Sequence, residues 1–400
     1  MLMTADPLLR FREEFPILAS TTYLVSNSLG AMPRAVPAAL AAYAEQWATR
    51  GVRAWAQGWW EMPITVGDEI APLIGASPGE VAMVPNVTIA QAQIFSALDY
   101  ATDGRDTIVM SELDFPSVRY VYDELATRLG ARIVVVPSDD GIGVDEERLM
   151  AAIDERTRLV AISHVLFRSA YVLDAARICA HAHRMGALVS LDAYHSVGVV
   201  PVDVRALDAD FLTGGVLKWL CGGPGGCFLW ARPELSARLA PALTGWQAHE
   251  HPFAFEAEMA YAGGAWRWLT GTPSIPALFA AVAGPRLLRE AGMDAIRAKS
   301  IRQTSRLIEL ADARGFMVTA PRDATRRGGT IAFDVPHARE VAQALLARDV
   351  IVDYRPGAGI RVAPHFYTSD DEVESVVAII DEILAKGEWS KYTDAKTVVT

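Results

Sequence analysis

Three residues in one short stretch have the types and spacing for covalent chemistry. The stretch from Ser190 to Gly226 reads SLDAYHSVGVVPVDVRALDADFLTGGVLKWLCGGPGG. Asp192 closes a short apolar run, and His195 follows three residues on. A second apolar run, 209–216, then delivers Lys218, 26 residues beyond the acid. That separation holds a strand, a connection and a neighbouring strand, so one carboxylate and one amine can converge on the same sheet edge. An amine there can condense with an aldehyde as a Schiff base, and a carboxylate can keep a pyridine nitrogen protonated. Pyridoxal phosphate needs both groups. Asp and Lys at strand ends are common, and most are solvated. Here the surroundings are apolar: an unpaired Asp192 would be costly, and Val216, Leu217, Trp219 and Leu220 flank the lysine. Such flanks depress a lysine pKa, which suits an imine-forming amine. The run Gly222-Gly-Pro-Gly-Gly226 lets backbone pass close to something bulky.

The elements that must position these groups alternate along the chain. Strand patterns fall at 80–84, 106–112, 131–136, 158–165, 186–191, 209–215 and 226–231. Helical patterns fall at 35–50, 67–74, 85–98, 118–129, 144–153 and 175–184. Strands alternating with helices imply an α/β fold with a mainly parallel, doubly covered sheet. Ligands in such sheets sit beyond the strand carboxyl ends. Phe115, Ser163, Asp192 and Lys218 all fall at or just past such ends. Beyond residue 233 the pattern loosens. Long helices are expected at 276–290 and 294–314, and four short strand patterns with helices at 337–348 and 370–385 suggest a smaller α/β domain. The tail 386–400 is polar and reads as loosely ordered.

Composition narrows the function classes. The chain has 400 residues and a formal net charge of −11, with no basic stripe, which disfavours nucleic acid and anionic membranes as partners. The start, MLMTADPLLRFREEFP, carries acidic residues early and does not read as a signal peptide. No uncharged apolar run reaches the roughly 20 residues of a membrane span. Three cysteines, Cys179, Cys221 and Cys227, fit a reducing cytoplasm better than a disulfide framework. They lack partners at ligand spacing, so no metal is expected.

Further motifs make the chain resemble a known family. YLVSNSLGAMPRAV (23–36), SELDFPS (111–117), LDAYHS with KWLCGGPGG, SHVLFRSAY (163–171), GWQAH (245–249), GTP (271–273) and IRVAP (360–364) run in order. They resemble the class V group of fold-type I pyridoxal-phosphate enzymes, and within it kynureninase. The resemblance implies a large domain, 23–275, with a mainly parallel seven-stranded sheet. It also implies a smaller C-terminal α/β domain, 276–400, and an N-terminal arm, 1–22, packed on the small domain.

The resemblance also assigns roles. Lys218 is the Schiff-base lysine and proton carrier, Asp192 the partner of the ring nitrogen, and His195 a ring contact. Phe115 stacks on the cofactor ring, and Ser163 meets its phenolic oxygen or the ring. Val87 and Thr88 dock the phosphate. At that helix start a Thr88 hydroxyl and free backbone amides make an anion site, although a plain cap is commoner. Trp246 and Thr272 reach the phosphate across a dimer interface, so a homodimer is implied. Arg361 clamps the substrate carboxylate, since a planar guanidinium suits bidentate recognition. Asn27 and Ser28, in the turn Asn27-Ser-Leu-Gly30, join it as substrate contacts. The tryptophan-rich segment 53–60 is core or subunit packing, or else an aromatic wall for a flat substrate.

The implied reaction is hydrolytic Cβ–Cγ cleavage of kynurenine or a related amino acid. Two departures bear on it. The family usually has tyrosine before the lysine, where Leu217 stands, and aspartate after DFPS, where Val118 stands. Neither replacement can carry a proton. Either Tyr120, Tyr171 or Tyr194 substitutes, or the reaction is that of an aminotransferase, a β-lyase or a desulfurase-like enzyme. A non-catalytic cofactor-binding protein is the alternative from another class.

Overall fold

The computed structural model describes residues 6–393. The strands, in chain order, are β1 (Thr22–Tyr23), β2 (Val81–Val84), β3 (Thr107–Ser111), β4 (Arg132–Val136), β5 (Thr157–Ser163), β6 (Leu188–Asp192) and β7 (Phe211–Gly215). After them come β8 (Cys227–Ala231), β9 (Met317–Val318), β10 (Ile331–Asp334), β11 (Val350–Ile351), β12 (Asp353–Arg355) and β13 (Gly359–Val362). The main sheet has seven strands in the order β2-β8-β7-β6-β5-β3-β4. β8 runs antiparallel to both its neighbours, and the other pairings are parallel. Strands covered on both faces read as continuous apolar runs rather than alternating ones. β2, β3, β7 and β8 are buried at every position. The chain is therefore a fold-type I α/β protein with a mainly parallel seven-stranded sheet.

Helix boundaries follow local chemistry. The helix Pro116–Leu129 has proline in its first turn and stops on Gly130 in the left-handed conformation. The helix Asp370–Lys386 starts with a capping box, in which Ser369 and Glu372 satisfy each other's backbone amides. The long helix expected at 276–290 is two helices, Ile275–Ala281 and Ala283–Ala291. Pro285 explains the break: it has no N–H to return to the carbonyl of Ala281, and its ring crowds that carbonyl. The helix expected at 67–74 begins earlier, at Met62, and gives way to a 3-10 turn at Ala71–Leu73.

The four-stranded sheet β12-β13-β10-β9 is antiparallel and carries its own apolar cluster, including Leu307, Phe333, Val341 and Val376. The N-terminal segment ties the two sheets together. Its 3-10 helices, Pro7–Glu14 and Pro16–Ala19, put Phe11 and Phe15 against Phe366. Arg12 donates to Glu372 at 2.7 Å and to the Tyr367 carbonyl at 2.8 Å, and Asp6 pairs with Lys299 at 2.8 Å. β1 then pairs with β11. Ile275, Leu278, Leu288 and Ile296 share the main core with residues before 275. The tail corrects the sequence expectation in part: Glu388–Tyr392 is a 3-10 helix whose Trp389 stacks on His337 with ring centroids 3.4 Å apart. Aromatic stacking holds a segment that its polar composition hides. Residues 394–400 lie outside the described residues.

Candidate active site

Parallel strands bring the chemical residues to one edge. Ser163 ends β5, Asp192 ends β6 in register with it, and Lys218 follows three residues after β7. Phe115 caps the helix that follows β3. Together with Val87, Val165, Phe167, Tyr194, His195 and Leu217 they line one cavity of about 170 Å³.

Lys218 is held by its backbone as well as its side chain. The Gly30 amide donates to the Leu217 carbonyl at 2.7 Å, and the Lys218 carbonyl accepts from Cys221 at 3.0 Å. A Cβ on Gly30 would stand 2.2 Å from the Lys218 carbonyl oxygen, so only glycine fits there. Nζ lies 2.6 Å from His195 Nε2, 5.5 Å from the Phe115 ring centroid and 5.4 Å from that of Tyr194. The amine thus has two aromatic rings close by.

Electrostatics favour a free amine. Burial pulls the Lys218 pKa down to about 7, opposed by the Asp192 charge and helped by Arg361. Burial pushes Asp192 up to about 6, while the Tyr194 amide, donating to Oδ1 at 2.9 Å, and Lys218 favour its ionised form. His195 is held neutral, first by burial and then by the nearby Lys218, Arg361 and Arg355.

The expected cofactor fits this set. A space of this size takes one six-membered ring, since an apolar cavity of about 150 Å³ takes benzene. Lys218 offers the amine, Asp192 the acid for the ring nitrogen, and Phe115 an aromatic face. The helix Val87–Ser96 begins at the cavity wall and offers backbone amides for a phosphate.

The structure revises several expected contacts. The cap of that helix is Asn86, whose side chain accepts from Ile89 at 3.1 Å, and Thr88 is exposed one position past the helix start. An Asn oxygen caps a helix as well as a hydroxyl does. Arg361 is 2 % exposed and bound to a carboxylate of its own chain. Nε donates to Asp353 Oδ1 at 2.7 Å, Nη2 to Asp353 Oδ2, and Nη1 to the Phe167 carbonyl. With its amide turned, Asn27 accepts from Arg361 Nε at 3.2 Å and Nη2 at 3.3 Å. Arg355 also reaches Asp353 Oδ2, at 3.2 Å. Two guanidiniums share one carboxylate beside the lysine. Ser28 is engaged in a turn through its backbone, donating to the Val25 carbonyl at 2.9 Å.

Trp246 and Thr272 do not line the lysine cavity. Thr272 borders a separate groove of about 670 Å³ with Trp55, Trp60, Trp246 and Phe253. The rings of Trp246 and Phe253 each lie 4.8 Å from that of Trp60, and Phe253 and Phe255 are 61 % and 76 % exposed. Trp59, by contrast, is a core residue bonded to Gln46 at 2.8 Å.

Asp114 is a site residue that sequence reasoning did not single out, although it lies inside the quoted SELDFPS motif. Its buried carboxylate accepts from the Ser111 amide at 2.8 Å and the Ser163 amide at 2.7 Å, tying the ends of β3 and β5 together. Asp353 was likewise missed, because the run Ile351-Val-Asp reads only as strand.

The class-V aminotransferase family pattern matches residues 22–370. The chain is 34 % identical over 400 residues to a kynureninase of Pseudomonas fluorescens, covering 96 % of this chain and 94 % of that one. It is 32 % identical to a kynureninase of Geobacillus thermodenitrificans, covering 98 % and 95 %. In fold it is similar to a cysteine desulfurase of Thermococcus onnurineus NA1, with TM-score 0.84, 24 % identity, and 97 % and 100 % of the chains covered. It is also similar to a C-DES mutant with glycine covalently linked to the PLP cofactor, with TM-score 0.84, 22 % identity, and 92 % and 99 % covered.

Proposed function

The chain belongs to the class-V aminotransferase family of pyridoxal-phosphate enzymes, and from that premise we propose that it hydrolyses the Cβ–Cγ bond of kynurenine or a closely related amino acid. The observation that carries the reading is the enclosed cavity in which a buried Lys218 amine, Asp192 and Phe115 meet. Bound there, pyridoxal phosphate supplies an electron sink for charge developing at the substrate α-carbon.

The chain's own residues do the rest. Lys218 anchors the cofactor aldehyde, and its amine, once free, moves the proton at the α-carbon. Asp192 keeps the ring nitrogen protonated. His195 holds the lysine side chain in line through its Nε2. Phe115 would offer its aromatic face to the ring, and Ser163 would offer its hydroxyl to the phenolic oxygen. The helix start at Val87 and Thr88 would hold the phosphate, the Val87 amide being shared with the Tyr194 hydroxyl. Arg361, with Asn27 beside it, is our candidate for the substrate α-carboxylate; Asp353 fixes the guanidinium plane through Nε and Nη2 and the Phe167 carbonyl takes Nη1, so a substrate carboxylate would have to displace one of these partners. Val165, Phe167 and Leu217 make apolar walls that suit an aryl ketone. One water adds across the broken carbon–carbon bond, giving alanine and an anthranilate.

We read the active form as a homodimer, in which the partner covers the exposed groove of Trp60, Trp246 and Phe253. The separation of Trp246 and Thr272 from the lysine cavity supports their acting on a second copy. The buried free cysteines agree with a cytoplasmic setting.

The test is product analysis with kynurenine and 3-hydroxykynurenine. Alanine plus an anthranilate is expected. Leu217 and Val118 favour a second reading, an aminotransferase or β-lyase on another amino acid. That reading takes over if neither substrate is consumed while the visible band of the lysine-bound cofactor is present. Lys218→Ala should abolish that band; a variant that keeps it would sink both readings.

A further inference from the structure

We propose that the Tyr194 hydroxyl is the side-chain donor to the cofactor phosphate at the start of the helix Val87–Ser96. The assignment rests on cofactor attachment at Lys218 and not on which substrate is cleaved. Three observations carry it.

The first is position. The Tyr194 ring centroid lies 5.4 Å from Lys218 Nζ, at much the same distance as that of Phe115, while its hydroxyl accepts from the Val87 backbone N–H and lies against the Cys227 thiol. The side chain therefore reaches from the neighbourhood of the amine to the helix start. The first amides of the helix are divided among partners: Ile89 donates to the Asn86 side chain, Ala90 to the Asn86 carbonyl and Val87 to the Tyr194 hydroxyl, which leaves the phenol proton to be donated onward.

The second is fixity. The ring packs against β7 so closely that a Cβ on Gly215 would stand 2.0 Å from Tyr194 Cε1. The phenol has no room to swing back, and its own backbone amide is fixed by Asp192 at 2.9 Å.

The third is chemistry. Burial, then the Cys227 and Asp192 charges, raise the phenol far above its ordinary pKa, so it meets an anion as a donor. The other candidate hydroxyls are elsewhere. Tyr120 is 67 % exposed, and the Tyr171 hydroxyl is taken by Arg326 at 2.7 Å and Glu146 at 3.3 Å. Leu217 contributes none, which leaves Tyr194 as the phenol of this cavity among the described residues.

Tyr194→Phe keeps the ring and removes only the hydroxyl. The holoenzyme of this variant is followed by cofactor release into fresh buffer, by the ³¹P resonance of the bound cofactor and by its visible band. A hydrogen bond to a charged group corresponds to release faster by about tenfold or more. The ³¹P resonance should shift, and the visible band, which reports the lysine end, should stay. Wild-type release with a wild-type ³¹P resonance overturns the proposal. A moved visible band with an unmoved ³¹P resonance also overturns it, because the hydroxyl would then act at the ring end. The visible band of the wild-type holoenzyme and its products report separately on the parent reading.

Discussion

Lys218 loses its hydration in a cavity walled by Phe115, Phe167, Tyr194 and Leu217, and Asp192 returns only part of what burial removes. Its pKa is lowered to about 7, so the amine becomes free as pH rises through that value. Cofactor capture by cofactor-free protein should accelerate up to about pH 7 and then level off. An ordinary lysine would keep accelerating toward pH 10. Stopped-flow absorbance distinguishes the two curves. Asp114 makes a second residue-scale case. Burial raises its folded pKa to about 7, above the unfolded value, so its contribution to stability is full in acid and is lost as pH rises through 7. Asp114→Asn turns an NH₂ toward one of two donating amides. At pH 5 it should cost about 1–3 kcal/mol, the range for an unsatisfied buried donor, and the gap should narrow by pH 8. Denaturant unfolding at the two pH values measures it; an equal cost at both would refute the assignment of that carboxyl as the titrating group.

At the scale of elements, the lysine loop is positioned from outside its own sheet. The segment 25–31 grips it through Gly30, and the helix Ala283–Ala291 presses on it, since a Cβ on Gly284 would meet the Leu220 carbonyl oxygen at 1.8 Å. Gly30→Ala should push the loop and lower cofactor occupancy while far-ultraviolet circular dichroism stays close to wild type. Full occupancy would show that the loop tolerates the displacement. The helix Asp370–Lys386 couples a second element to the same region, because Glu372 closes its capping box and also receives Arg12 of the N-terminal segment. Ser369→Ala removes one half of that box and should cost about 1 kcal/mol in denaturant unfolding.

At the scale of the molecule, an aromatic patch among the described residues stands exposed. Trp60, Trp246, Phe253 and Phe255 cluster through ring contacts, and Val52 extends the patch. Contiguous exposed apolar surface of this kind marks an interaction site. Phe253→Asp places a charge in the proposed subunit contact. It should shift sedimentation toward monomer and weaken cofactor retention together, if Trp246 and Thr272 serve the neighbouring copy. Dissociation with undiminished retention would separate the dimer from the phosphate site.

Much of this was legible in the amino-acid order. Apolar runs separated by helical periods announce a doubly covered sheet, because burial on both faces permits little else at those positions. Asp192, Ser163, Phe115 and Lys218 follow from where those runs end. Their convergence on one cavity needs only parallel strands, which the alternation itself demands. Other features depended on the fold. Asp114, Tyr194 and Asp353 act through partners 49, about 107 and 8 residues away, at Ser163, Val87 and Arg361, and no local pattern marks such pairs. The Arg361 guanidinium was readable as a carboxylate binder, but that a carboxylate of the same chain already holds it was not. Sequence fixes which side chains stand at strand ends, since periodicity is local. Only packing decides which of them touch, because contact depends on crossings between elements far apart along the chain.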